Sequence, residues 1–259
     1  MLKERIKKIY HSRKVLWDMA INQLKAKYAG ARLGIWWAVV SPLILALSIN
    51  FVFNVVFRIN IPNYTLYVLA GIIPWFFFST TLMEVTNSFT INASVLRQGV
   101  LPRELIVVSC ILANLLNFII GLLFLLPLFI ILNLKVVWFL PFLLPVIILH
   151  FIFLVGLGFI LATANVFFRD MSHFLSVIFM AWFWVTPVFY SLDMLRFPFR
   201  WVCILNPMTY YVVSYQDILF TGKSPGFSTI VTMSLLTGLS YLAGHIFLVK
   251  NEKMFLKRI

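Results

Sequence analysis

Acidic side chains are scarce in this chain. Eight Asp and Glu residues are dispersed over 259 positions, and charged residues make up only 11% of the total. A membrane-embedded hydrolase or transferase gathers paired carboxylates, a His–carboxylate cluster or a metal set, and the sequence groups none of these. Two cysteines, Cys110 and Cys203, are too few for a structural zinc site. They fall on segments expected at opposite sides of a bilayer, which excludes a disulfide between them. A glycine-rich phosphate loop, GxxxxGK[ST], is also missing. Gly222-Lys223-Ser224 has the tail of that motif, but its first-glycine position is Asp217. No catalytic residue, metal ligand or cofactor site is therefore assigned. If ATP drives this protein, another chain binds it.

What fills the chain instead is apolar. Hydrophobic residues make up 62%, a membrane-protein composition. Six apolar segments run over 35–57, 65–87, 105–132, 138–164, 174–192 and 226–249, with 23, 23, 28, 27, 19 and 24 residues. About 20 apolar residues carry a helix across the ~30 Å hydrocarbon layer. None of the segments alternates polar and apolar residues as a barrel strand would. The expected fold is all-α and polytopic. It has six transmembrane helices, an amphipathic interface helix within 1–34, and a six-span domain over 35–259 with two short outer re-entrant helices in 193–225. No cleavable signal peptide is visible.

The net charge of +13 raises the question of nucleic acid, which its distribution answers. Under an inside amino terminus, sixteen of 21 Lys and Arg fall in inner segments, and the outer ones keep Arg58, Lys135, Arg196, Arg200 and Lys223. This is the positive-inside bias. It places both termini in the cytoplasm and makes the basic excess a topology signal. No nucleic-acid partner is expected.

Three connecting segments carry structure. Residues 2–28 read as an amphipathic helix lying in the interface, with Trp17 on its apolar face and Lys25 away from it. Arg13 and Lys27 interrupt the apolar stripe, so a bend is expected near them. In the second inner loop, Asn92 or Ser94 caps a short helix through Leu96 and Arg97, and Gly99 closes it. Pro102 and Glu104 then suit the first turn of the next helix. A short capped helix on this side is a candidate docking element. In 193–225, Asn206-Pro207 has the form of a cap followed by proline at the first helical position. It divides the segment into pieces of about 193–205 and 207–221, neither long enough to span.

A few intramembrane groups stand out. Glu84 is the one carboxylate clearly within hydrocarbon, about a turn from the inner end, where burying a charge costs ~2.5–3.5 kcal/mol, so it is expected to be paired, neutral or near an aqueous path. His150 is expected to hydrogen-bond between helices. Gly156, Gly158, Ala162 and Ala164, with Ser240 and Gly244, mark close helix packing. Trp75, Trp182, Trp184, Tyr190, Trp201, Tyr210, Tyr211 and Tyr215 gather near the outer parts of the second and fifth spans and the outer segment. Flat aromatic faces suit sugar rings that must bind weakly and move on, so this set is a candidate sugar path.

These residues resemble a family. Lys25, Lys27, Tyr28, Leu33-Gly34, Trp36 and Pro42 fall around the first span, and Asn92, Leu96 and Pro102-Arg103-Glu104 in the inner loop. Phe168-Arg169-Asp170, His173, Trp184 and Thr186-Pro187-Val188-Phe189-Tyr190 follow, then Asn206-Pro207, Tyr215 and Gly222. In this order they are similar to the membrane-spanning permeases of type 2 ATP-binding cassette exporters, in the branch that exports lipid-linked bacterial polysaccharides such as O-antigen, capsule or teichoic acid. The chain departs from many relatives at Ala29-Gly30-Ala31 and at Leu101. The resemblance implies a homodimer in the bacterial inner membrane with two cytoplasmic ATPase subunits that bind ATP and Mg. Asn92, Ser94, Leu96, Arg97, Pro102, Arg103 and Glu104 would dock the ATPase. Trp17, Lys25, Lys27 and Tyr28 would border the entrance, and Asn206, Pro207 and Tyr215 would belong to an outer gate. The alternatives are a permease for teichoic acid or another amphiphile, and a membrane-embedded polyprenyl-sugar transferase, against which the dispersed acids weigh. A stand-alone secondary carrier would show an internal repeat or more buried charges.

Overall fold

The computed structural model describes residues 11–56, 62–98 and 101–255. Residues 2–10 of the expected amino-terminal helix and the expected stop at Gly99 lie outside them. Among the described residues there is no strand. The helices are α1 (Arg13–Tyr28), α2 (Trp37–Asn50), α3 (Tyr64–Thr86), α4 (Ser88–Ile91), α5 (Ala93–Arg97), α6 (Arg103–Leu132), α7 (Val136–Phe139), α8 (Leu143–Phe167), α9 (Met171–Val185), α10 (Phe199–Leu205), α11 (Pro207–Gln216) and α12 (Phe227–Phe255).

Five stretches are long and apolar enough to cross a membrane: Gly34–Asn54, Tyr64–Thr86, Arg103–Leu132, Val136–Phe167 and Phe227–Asn251. The expected fifth span, 174–192, has a different form. Its helix α9 holds 15 residues and rises about 22 Å, short of the full hydrocarbon layer. Pro187 is the cause: the residue before a proline is driven out of the helical region, and Thr186 takes φ −87, ψ 135. The chain continues upward without helix through Tyr190. The long helix α6 spans about 45 Å, so its first turns extend into the inner interface.

Helix α3 is the hub. Of its spanning window 72% is buried, and it packs against α2, α6, α8, α9 and α11. Helices α8 and α12 form the closest pair. A Cβ on Gly244 would lie 2.0 Å from the Gly156 carbonyl oxygen, so the two backbones touch. Ser240 Oγ donates to the Phe153 carbonyl and Thr237 Oγ1 to that of Leu149. The expected small-residue strip is divided between two contacts, because Gly158 turns instead to Ile111, Val107 and Val85.

The inner end is taken as the end bearing α1 and the loop between α3 and α6, following the distribution of basic residues. Helix α1 does not bend at Lys27; it continues to Tyr28. Its contacts to α6 run Gln23 to Ser109, Lys27 to Asn114 and Tyr28 to Asn117. Both numbers rise together, so α1 runs alongside the inner half of α6 in the same direction.

Candidate functional site

The outer segment folds as a re-entrant hairpin. Helix α10 descends from the outer face, the chain turns at Asn206, and α11 returns. The turn is deep: Asn206 Oδ1 accepts from Trp182 Nε1 (2.8 Å), and Trp182 in turn packs on Trp75 at the middle of α3. Asn206 Oδ1 also caps α11 through the Met208 N–H (2.9 Å), and its Nδ2 donates to Thr186 Oγ1 (2.9 Å). The expected Asn–Pro boundary is therefore present, and Asn206 additionally ties the turn to the broken end of α9. At the far end, Gly222 takes the left-handed conformation (φ 62) that closes the helical run after Thr221.

Non-helical backbone inside a membrane must find partners in protein. Here the side chains of neighbouring elements supply them. Tyr64 OH donates to the Phe189 carbonyl and Tyr67 OH to that of Tyr190. Gln216 Nε2 reaches both Pro187 and Val188 carbonyls. Gly71 lets this stretch lie directly on α3, since a Cβ there would be 2.9 Å from the Val188 oxygen.

The candidate sugar-path aromatics divide by exposure: Trp75 and Tyr211 are enclosed, Trp182, Tyr190 and Tyr210 are half-buried, and Trp184 is exposed. Trp75 is 4% exposed and Tyr211 fully buried. Trp75 is enclosed by Phe78, Phe179, Trp182 and Phe183. Tyr211 stacks on His150 and Phe153 and shares a hydrogen bond with Thr237. The hydroxyls of Tyr190 and Tyr210 are occupied by the carbonyls of Val185 and Ile204. Tyr215 is fully buried beside Phe118. These neighbours close off Trp75 and Tyr211, while Trp184 and Trp201 keep exposed rings. Interfacial preference of Trp and Tyr gives their depth in the bilayer but not the face they turn. His150 is a second correction. It is fully buried between Phe77, Tyr211 and Tyr215, and neither ring nitrogen makes a hydrogen bond.

The inner side holds a polar seam. Lys27 Nζ lies 2.8 Å from Glu84 Oε1 and 2.8 Å from Asn114 Oδ1, and Asn114 Nδ2 donates to the other Glu84 oxygen at 2.7 Å. Of the expected alternatives Glu84 takes pairing, and it also faces the cavity beside α3. Tyr28 OH donates to Asn117 Oδ1. Burial, with Glu84 nearby, raises the Tyr28 phenol above its usual range and keeps it a donor. Trp17 and Lys25 stay exposed on α1. Beside the seam lies a cleft of about 400 Å³ between α1, α2, α3 and α6.

In the inner loop, Asn92 sits before α5 but its Nδ2 turns back to the Ser88 carbonyl (2.8 Å) and caps no N–H. Leu96 is 5% exposed and belongs to the protomer's own core, so it is not available as a docking contact. Glu104 is buried in the first turn of α6 behind Pro102. The exposed side of this loop is instead Ile91, 75% exposed, with Ser94 and Arg97. Ile91 carried no signal beyond its hydrophobicity. Among the described residues no group of His, Cys, Asp and Glu could hold a metal ion.

A bundle of spanning helices around α3, with a side-chain-supported re-entrant hairpin at one end and a polar helix seam at the other, defines a multi-pass membrane permease. Residues 15–220 match the ABC-2 type transporter family, and the chain belongs to that family. It is 33% identical over 205 residues, 78% of either chain, to an O-antigen export system permease protein RfbA of Klebsiella pneumoniae. It is 29% identical over 255 residues, 96% of either chain, to the protein of the same name from Myxococcus xanthus.

Proposed function

We propose that this chain is the transmembrane subunit of an ATP-driven exporter that moves a lipid-linked, O-antigen-like polysaccharide across the bacterial inner membrane. Two copies form the channel, and two cytoplasmic ATPase subunits bind ATP and Mg. The chain itself carries no ATPase site. Both termini lie in the cytoplasm. The observation that carries this reading is the relation to an O-antigen export permease along 96% of the chain. The ATPase seats against the exposed side of α4 and α5, and α1 transmits its movement through Lys27 to Glu84 and Asn114. The re-entrant hairpin of α10 and α11 closes the outer end. A permease for teichoic acid would use the same parts.

The test is deletion of the gene in its own host. The expected result is loss of surface polysaccharide with lipid-linked polymer accumulating inside, restored by the gene on a plasmid. Unchanged surface polymer would overturn the reading.

A further inference from the structure

The cleft on the inner side has a composition that packing alone does not require. It is about 400 Å³, within the usual size of small-molecule sites, and combines aromatic faces from Trp37 and Phe76 with the polar groups of Ser41, Ser79 and Asn117. Five hydroxyls on the spanning helices, those of Ser48, Thr80, Thr86, Thr232 and Ser234, return to the carbonyl four residues back. That bond satisfies the hydroxyl inside the helix. Among the described residues, Ser41 and Ser79 make no such bond, and the Asn117 amide uses only its oxygen, for Tyr28. All three line the cleft, so their donors are available to a molecule bound in it.

Charge selects among partners. Lys27 is the one charged residue on the cleft wall, and its ammonium is already neutralised by Glu84 at 2.8 Å. A phosphate would find no uncompensated cation, and an acyl chain would leave the polar groups without hydrogen-bond partners. Hydroxyl-rich rings with apolar faces satisfy both halves of the wall. A second cavity of about 330 Å³ adjoins the first, sharing Ser79 and Thr80 and continuing toward Ser176 and Phe179 on α9. The two together extend along α3 from Ile73 to Glu84.

We propose that this cleft binds sugar residues of the exported polymer at the inner end of its path, with Ser41, Ser79 and Asn117 as hydrogen-bonding groups and Trp37 and Phe76 as stacking faces. The proposal rests on the exporter reading and adds the place where glycan is held.

The test places the photo-crosslinking residue p-benzoylphenylalanine at Thr80 or Ala38, which line the cleft without belonging to the proposed binding groups, in the native host, using a position that still supports export in the deletion strain. Leu235, exposed on α12, is the control. After irradiation, the chain from the cleft positions should carry adducts reactive with an antiserum to the surface polysaccharide, and the Leu235 variant should not. The adducts should vanish when polymer synthesis is blocked. Adducts containing only phospholipid by mass spectrometry, or no glycan adduct from a strain that exports polymer, would overturn the proposal. Gene deletion reports separately on the exporter reading, since that fails only if surface polymer persists without the chain. As a second arm, Ser79→Trp should lower export at least about tenfold with the membrane level of the chain and its ATPase association unchanged. Normal export by an assembled Ser79→Trp complex would also count against the site.

Discussion

Asn206 concentrates three jobs in one side chain: it caps α11, accepts from Trp182 and donates to Thr186. It is 6% exposed, so water cannot replace these bonds when the side chain is removed. Each buried group left unpaired costs about 1–3 kcal/mol. Asn206→Ala is therefore expected to lower the thermal midpoint of the detergent-purified protein by several degrees. Asn206→Asp, which keeps the oxygen acceptors, should lose less. Equal midpoints for the three proteins would show that the hairpin does not depend on this residue. The sequence announced the cap, because Asn before Pro is a local signal. It could not announce the other two partners, which lie 24 and 20 residues away. Glu84 is a parallel case. Its depth calls for a partner, neutrality or water, but Lys27 stands 57 residues away, and the sequence marks it as an interruption of an apolar stripe and, by the resemblance, as a residue at the entrance. The failure was larger for Trp75 and Tyr211, where residue type gave the depth in the bilayer and left the facing direction open.

At the scale of elements, apolar length was enough to find the five full spans, since the cost of unpaired backbone in lipid leaves helices as the only solution. It overextended α9, where Pro187 ends the helix and the side chains of Tyr64, Tyr67 and Gln216 then hold the unwound stretch. Those three residues are remote in sequence and gave no warning. Two element contacts lead to predictions. Gly244→Ala drives a methyl into the α8 backbone, while Gly238, on the same helix, has nothing within 4 Å. Overpacking of this kind costs about 1–3 kcal/mol. Gly244→Ala should lower the thermal midpoint clearly and Gly238→Ala should not; equal effects would show that α8 and α12 do not meet as described. In the inner loop, Ile91→Asp should reduce co-purification of the ATPase while leaving the midpoint of the isolated permease unchanged. Leu96→Asp should lower the midpoint itself, because it buries a charge in the protomer core. ATPase retention by the Ile91 variant would remove the exposed side of α4 from the docking surface.

At the scale of the whole molecule, one central helix joins the two ends. Helix α3 carries Glu84, held by Lys27 at the inner end, and Tyr64 and Tyr67, which hold the unwound chain at the outer end. A shift of α1 is thereby connected to the support of the outer hairpin through one element packed on α2, α6, α8, α9 and α11. This arrangement suits a protein in which work done on the inner face opens a path at the outer one. The most direct measurement of that account is transport in a reconstituted system. The permease and its partner ATPase are placed in liposomes with lipid-linked polysaccharide on the outer leaflet, ATPase side out, and polymer protected from an added glycosidase is measured. The account predicts protected polymer that accumulates with ATP and does not with a non-hydrolysable analogue. Polymer that stays fully digestible while the assembled complex hydrolyses ATP would contradict it.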